Sequence, residues 1–97
     1  MDKKILKKAI ETYGEAAQQD MVIEEALELA LSILKFRRAT KGFDTATILK
    51  RRDNIVEESA DTRIMLEQVN MMFECEDEVN KQIEYKLNCL KERLDQW

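Results

Sequence analysis

Not one proline occurs in these 97 residues, and there are only two glycines, Gly14 and Gly42. This scarcity constrains the fold more than any other feature. Sandwiches and barrels reverse direction every roughly 8–12 residues and rely on turn-forming residues at each reversal. A chain with so few of them is left with long helices and few connections. Collagen-like and low-complexity classes fall on the same count. At 44% hydrophobic residues the chain is too apolar to stay disordered. No apolar run approaches the roughly 18–20 residues of a membrane span. The N-terminal MDKKILKKAIETYG spaces its apolar positions apart, unlike a signal peptide. The expectation is one all-α domain, residues 1–97, cytoplasmic and without a membrane partner. A domain this small buries only roughly 60–65% of its unfolded surface, so self-association would help it.

Apolar periodicity predicts four helical segments. The first covers about Lys3–Tyr13, with Ile5, Leu6, Ala9, Ile10 and Tyr13 on one face, and Gly14 as its stop. The second covers about Glu15–Arg38 and is rich in strong helix formers. Ala39–Thr47 reads as the main loop, with Asp44 or Thr45 capping the next helix. The third covers about Thr47–Phe73. A break at Glu74–Asp77 precedes the fourth, where acidic residues suit a first turn. The stripe Val79, Ile83, Leu87, Leu90, Leu94, Trp97 on that last helix is a seam for packing on other helices. The expected architecture is an antiparallel four-helix bundle.

Composition removes much chemistry. There is no histidine, so Ser–His–Asp and Cys–His centres are excluded. With only Cys75 and Cys89, a tetrahedral zinc site has too few ligands, and both thiols read as free in a reducing compartment. A net charge of -4 gives no electrostatic basis for binding nucleic acid. Carboxylates remain, and these suit hard cations such as magnesium or manganese.

Acidic residues number 20, and four pairs stand at i, i+3: Glu25/Glu28, Glu58/Asp61, Glu74/Asp77 and Glu92/Asp95. About four such pairs are expected by chance at this acid content, so context must discriminate. Glu25 and Glu28 lie on a helix that is apolar nearly all round, which predicts its burial. Glu58 and Asp61 share a stripe with Asn54, Met65, Val69 and Met72. Buried carboxylates cost several kcal/mol each unless compensated. Either a divalent cation gathers both pairs, or Lys35, Arg38, Arg51, Arg52 or Arg63 forms salt bridges with them. Glu74/Asp77 and Glu92/Asp95 sit in polar surroundings and read as solvated. Trp97, Phe36 and the methionines Met65, Met71 and Met72 read as core or interface before any role in stacking on a base.

Glu24-Glu25-Ala-Leu-Glu28-Leu, followed by Glu57-Glu58-Ser-Ala-Asp61, resembles the EExxE…ExxD signature of MazG-like nucleoside triphosphate pyrophosphohydrolases. The resemblance extends to Tyr13-Gly14-x-x-x-Gln18 before the first motif. It continues through Asp61–Gln68 after the second and into the Lys- and Leu-rich last helix. It covers about residues 10–95. It implies cleavage of an NTP or dNTP between the α- and β-phosphates, to a monophosphate and pyrophosphate. It implies magnesium held by Glu25, Glu28, Glu58 and Asp61, with manganese a possible substitute. The cation would neutralise the triphosphate and acidify a bound water.

Glu24 or Glu57 would take the water's proton, unless each is a solvated helix residue. Lys86 matches a phosphate-contacting lysine of the last helix, although Cys89 and Leu90 stand where a second basic residue is common. Residues 29 to 57, 29 in all, separate Glu28 from Glu58, which is long for the signature and predicts a lengthened Ala39–Thr47 loop. Relatives assemble as dimers or tetramers, so a homo-oligomer is implied. The alternative is a non-catalytic helical interaction protein, with its acids on solvated faces.

Overall fold

The computed structural model describes residues 1–97 and contains four helices and no strand. These are α1 (Lys3–Tyr13), α2 (Glu15–Ala39), α3 (Thr45–Met72) and α4 (Glu76–Asp95). No helix is long and apolar enough to cross a membrane.

The boundaries have local causes. Asp2 opens α1, its carboxylate accepting from the Lys4 amide at 2.9 Å. Gly14 ends α1 and opens α2 at φ 90, ψ 153, a region essentially reserved for glycine. Its amide donates to Ile10, closing the α1 terminus. Asp44, rather than Thr45, caps α3: its Oδ1 accepts from the Thr47 amide at 2.7 Å. α3 therefore starts at Thr45, and α2 runs through the fully buried Ala39. The connection shrinks to residues 40–44. The long separation between the acid motifs is taken up by longer helices, contrary to the expected lengthened loop.

α2 and α3 form the structural heart, an antiparallel hairpin. The Thr62 hydroxyl of α3 donates to the Glu25 carbonyl of α2 at 3.2 Å. The inward positions step by four and three, as in a coiled-coil seam. On α2 they are Gln18, Val22, Glu25, Leu29, Ser32, Phe36 and Ala39, all buried or half-buried. On α3 they are Thr47, Arg51, Asn54, Glu58, Asp61, Met65, Gln68 and Met72, again all buried or half-buried. α1 lies across this hairpin through Leu6, and Lys3 Nζ bridges Glu76 (3.2 Å) and Glu67 (3.7 Å).

One expectation fails here, and the core-or-interface reading of Trp97 is narrowed. α2 is not enclosed on all sides: Ile23, Leu27 and Leu34 are exposed, and only the hairpin-facing side is covered. Trp97 is 99% exposed, so within one chain it belongs to no core. The cause of the second is the course of α4. It packs on α3, meets α1 only through the Lys3–Glu76 ion pair at its first turn, and buries none of its residues. α3 accounts for one long dimension, since 28 residues span about 42 Å. The extents of 45 × 42 × 21 Å show a flat, broad molecule, too wide for the hairpin alone. α4 therefore stands away from it.

Candidate metal centre

Counting in sevens from Gln18 along α2 gives Glu25, Ser32 and Ala39. From Thr47 along α3 it gives Asn54, Asp61 and Gln68. Seven residues are nearly two turns, so each set forms one column along its helix. The antiparallel register sets Gln18 opposite Gln68, Glu25 opposite Asp61, Ser32 opposite Asn54, and Ala39 opposite Thr47. Between these positions the seam carries Val22, Leu29 and Phe36 on α2 and Arg51, Glu58, Met65 and Met72 on α3. The acid layer sits at mid-length, about 10 Å along the axis from each neighbouring polar layer.

In that layer, carboxylate oxygens of Glu25, Glu58 and Asp61 lie within 4.8 Å of one another. Glu58 comes from the turn before Asp61 and faces the same way. One oxygen of Glu25 and one of Glu58 are buried without any hydrogen-bond partner. No lysine or arginine answers them. The ion pairs of the chain are Lys3–Glu67, Lys3–Glu76, Lys7–Glu11 and Arg52–Asp53, none involving Glu25, Glu28, Glu58 or Asp61. The salt-bridge alternative for these acids is therefore not realised.

The electrostatic consequence is strong. The Glu58 carboxyl is pushed up to about 7, first by burial and then by the charges of Glu28, Glu25 and Asp61. Glu25 is raised as well, chiefly by burial and then by Asp61 and Glu28. Both shifts favour proton uptake by the crowded pair, which lessens the repulsion. An all-oxygen donor set, crowded and short of positive charge, fits a hard divalent cation in a way it fits no apolar or thiophilic ligand.

Glu28 stands beside this triad without being one of its three closest members. It is exposed and, with Glu58, lines a groove of about 220 Å³ that also takes in Leu31, Ser32, Lys35 and Asn54. Three of the four expected ligands are thus brought into one cluster, and the fourth meets it at Glu58, with which it lines the groove. Lys35 is the cationic residue of this groove. Glu24 and Glu57 are both exposed. Glu57 borders a separate polar depression with Thr47, Lys50, Arg51, Asp53 and Asn54. Lys86 is exposed on α4, a helix that touches α3 but not α2, and within one chain it is not joined to the acid cluster.

Sequence reasoning gave Ser32, Asn54, Gln18 and Gln68 no part in the site. The available signal was the repeat of polar residues at sevens on both long helices. Ser32 satisfies itself by donating to the Leu29 carbonyl at 2.7 Å, whereas Gln68 keeps a buried, unpartnered Oε1. Compared with known proteins, the chain matches no family model, no curated protein and no solved structure.

Proposed function

We propose that this chain is a magnesium-dependent nucleoside triphosphate pyrophosphohydrolase of the MazG-like kind, acting in the cytoplasm on the nucleotide pool. The observation that carries the reading is the triad of Glu25, Glu58 and Asp61. One oxygen from each residue lies within 4.8 Å of the others, one oxygen each of Glu25 and Glu58 is buried without a partner, and no protein cation pairs with the triad. The sequence signature Glu24-Glu25-x-x-Glu28…Glu57-Glu58-x-x-Asp61 supports the same reading.

Water adds across the anhydride between the α- and β-phosphates, giving a nucleoside monophosphate and pyrophosphate. A bound magnesium or manganese ion supplies charge neutralisation and Lewis acidity for that step. Glu25, Glu58 and Asp61 hold the cation, and Glu28 completes the set from the groove wall. Lys35, in the same groove, meets the negative charge of the phosphates. Glu24 or Glu57 accepts the proton released by water; both reach solvent, where the proton can leave. No covalent intermediate is required, in keeping with a chain that has no histidine to activate a nucleophile. Lys86 serves the phosphates only if a bundle of MazG-like arrangement brings α4 over the site, as closure between subunits of an oligomer allows.

The test is pyrophosphate release from a panel of NTPs and dNTPs with magnesium. The expected result is pyrophosphate and monophosphate in equal amounts from at least one substrate, abolished by Asp61→Asn. No pyrophosphate from any common nucleotide, in a protein that binds magnesium, would leave a cation-binding interaction protein instead.

A further inference from the structure

Charge is spread unevenly along the α2–α3 hairpin. Residues Lys35 to Asn54 carry seven cations and two acids, while the rest of the chain carries nine cations and 18 acids. Both acids of that stretch are engaged: Asp44 caps α3, and Asp53 pairs with Arg52. Lys35, Arg37, Arg38, Lys41, Lys50 and Arg51 have no carboxylate partner. The turn end of the hairpin is therefore a positive pole set against the acid layer at mid-length.

Of these six cations Lys35 and Arg51 are half-buried, and the other four are exposed. Neither Lys35 nor Arg51 donates a side-chain hydrogen bond to a protein acceptor, although a guanidinium alone carries five donors. Register places the two together. The alignment that sets Ser32 opposite Asn54 sets Glu28 level with Glu58 and, one heptad nearer the turn, Lys35 level with Arg51. Glu28 and Lys35 share a column on α2, and Glu58 and Arg51 share one on α3. Asn54 links the two levels: it borders the groove with Lys35 and Glu58, and the polar depression with Arg51. Seven residues are about 10 Å of helix, so the cations stand off from the acids and leave them unneutralised. One heptad the other way, Met21 and Met65 are level and bring no charge.

The hairpin thus presents, in line, an apolar step, an unpaired acid cluster and an unpaired pair of cations. A polyphosphate carrying a divalent cation has the matching order of charge, with the metal at one point and anionic groups trailing from it. Resting on the reading of the triad as a cation site, we propose that Lys35 and Arg51 form an anion subsite for the terminal phosphates of a polyphosphate ligand, whose tail runs from the acid cluster towards the α2–α3 turn. The guanidinium fork suits two phosphate oxygens at once, and the ammonium adds a movable point charge. For a nucleoside triphosphate this turns the pyrophosphate half towards the turn and the nucleoside towards Met21 and Met65. Selectivity then falls on phosphate number, because a single phosphate does not bridge the cation and the subsite.

The experiment is calorimetric titration of the full chain with inorganic tripolyphosphate, pyrophosphate and orthophosphate in constant magnesium, beside a titration with magnesium alone. The wild type should bind tripolyphosphate and pyrophosphate more tightly than orthophosphate. Arg51→Gln and Lys35→Gln should each weaken tripolyphosphate binding by about tenfold or more, the worth of a lost charged hydrogen bond, and should not weaken magnesium binding. Arg37→Gln with Lys41→Gln, which removes charge of the same sign from exposed positions of the pole, should cost less than either. Magnesium binding without polyphosphate binding would overturn the subsite and leave the cation site standing. So would losses from Arg51→Gln and Lys35→Gln no larger than that control. Polyphosphate binding that depends on Lys35 and Arg51, in a chain that binds no magnesium, would keep the subsite and remove the catalytic reading. A chain that binds neither would overturn both.

Discussion

At Glu58 two demands oppose each other: the hairpin seam buries the side chain, and the site needs its charge. With its carboxyl at about 7, the folded chain binds a proton there that the unfolded chain releases near the ordinary value of 4.5. Between those values the native state holds more protons, so stability falls as pH rises. The metal-free protein should melt at a higher temperature at pH 5 than at pH 8. Glu58→Gln should flatten that slope, and calorimetric scans of both proteins check it. Replacing a cation ligand is also costly for turnover. Glu58→Gln and Asp61→Asn should each lower kcat by about a hundredfold or more, since even groups supporting a metal ligand are worth roughly 10–100-fold. Steady-state pyrophosphate release measures this. The acids themselves were legible from sequence, because spacing i, i+3 puts each couplet on one face whatever the tertiary structure. Glu28's exposed position was not, since it depends on which side of α2 meets α3. Gln18, Ser32, Asn54 and Gln68 were given no part in the site because each is unexceptional alone.

The helices obey local rules closely, and their ends are testable. Periodicity alone gives α1 its observed limits and leaves α2 short by one residue. It starts α3 two residues late because Asp44 and Thr45 both suit an N-cap by composition, and only the Asp44–Thr47 bond decides between them. The Thr47 hydroxyl, and after it the Thr47 amide, hold the Asp44 carboxyl below its ordinary 3.8. A depressed acid stabilises the fold above its ordinary value, and this support is lost as pH falls through the folded value. Asp44→Ala should lower the melting temperature by a few degrees at pH 7. Asp44→Asn should keep most of the cap and lose only its acid dependence. At the α1–α2 corner the backbone is the constraint. Nothing lies within 4 Å of a Cβ built on Gly14, so space is not the issue. Its φ of 90 is, and Gly14→Ala should cost about 1–3 kcal/mol in chemical denaturation.

For the whole molecule, composition foretold an all-α chain, since so few turn residues permit little else. It did not foretell the open shape. The apolar stripe of α4 reads as a packing seam from sequence, but periodicity says nothing about whose helix fills it. The same ambiguity misled the reading of α2, where an apolar outer side implied enclosure that one chain does not provide. What the architecture does provide is a hairpin register that sets Glu25 against Asp61 and Glu58, with a deficit of positive charge at its centre. Binding a cation to that centre must stabilise the entire fold by linkage. A ligand at a hundred times its Kd contributes about 2.7 kcal/mol, more than 10 °C at about 4–8 °C per kcal/mol for a domain of this size. The decisive measurement is the melting temperature at pH 7.5 as magnesium is titrated in, for wild type and Glu58→Gln at matched protein concentration. The wild-type value should climb with magnesium, while the variant starts higher without metal and stays level. A wild-type curve indifferent to magnesium and manganese, or a variant that climbs equally, would contradict a cation site at Glu25, Glu58 and Asp61.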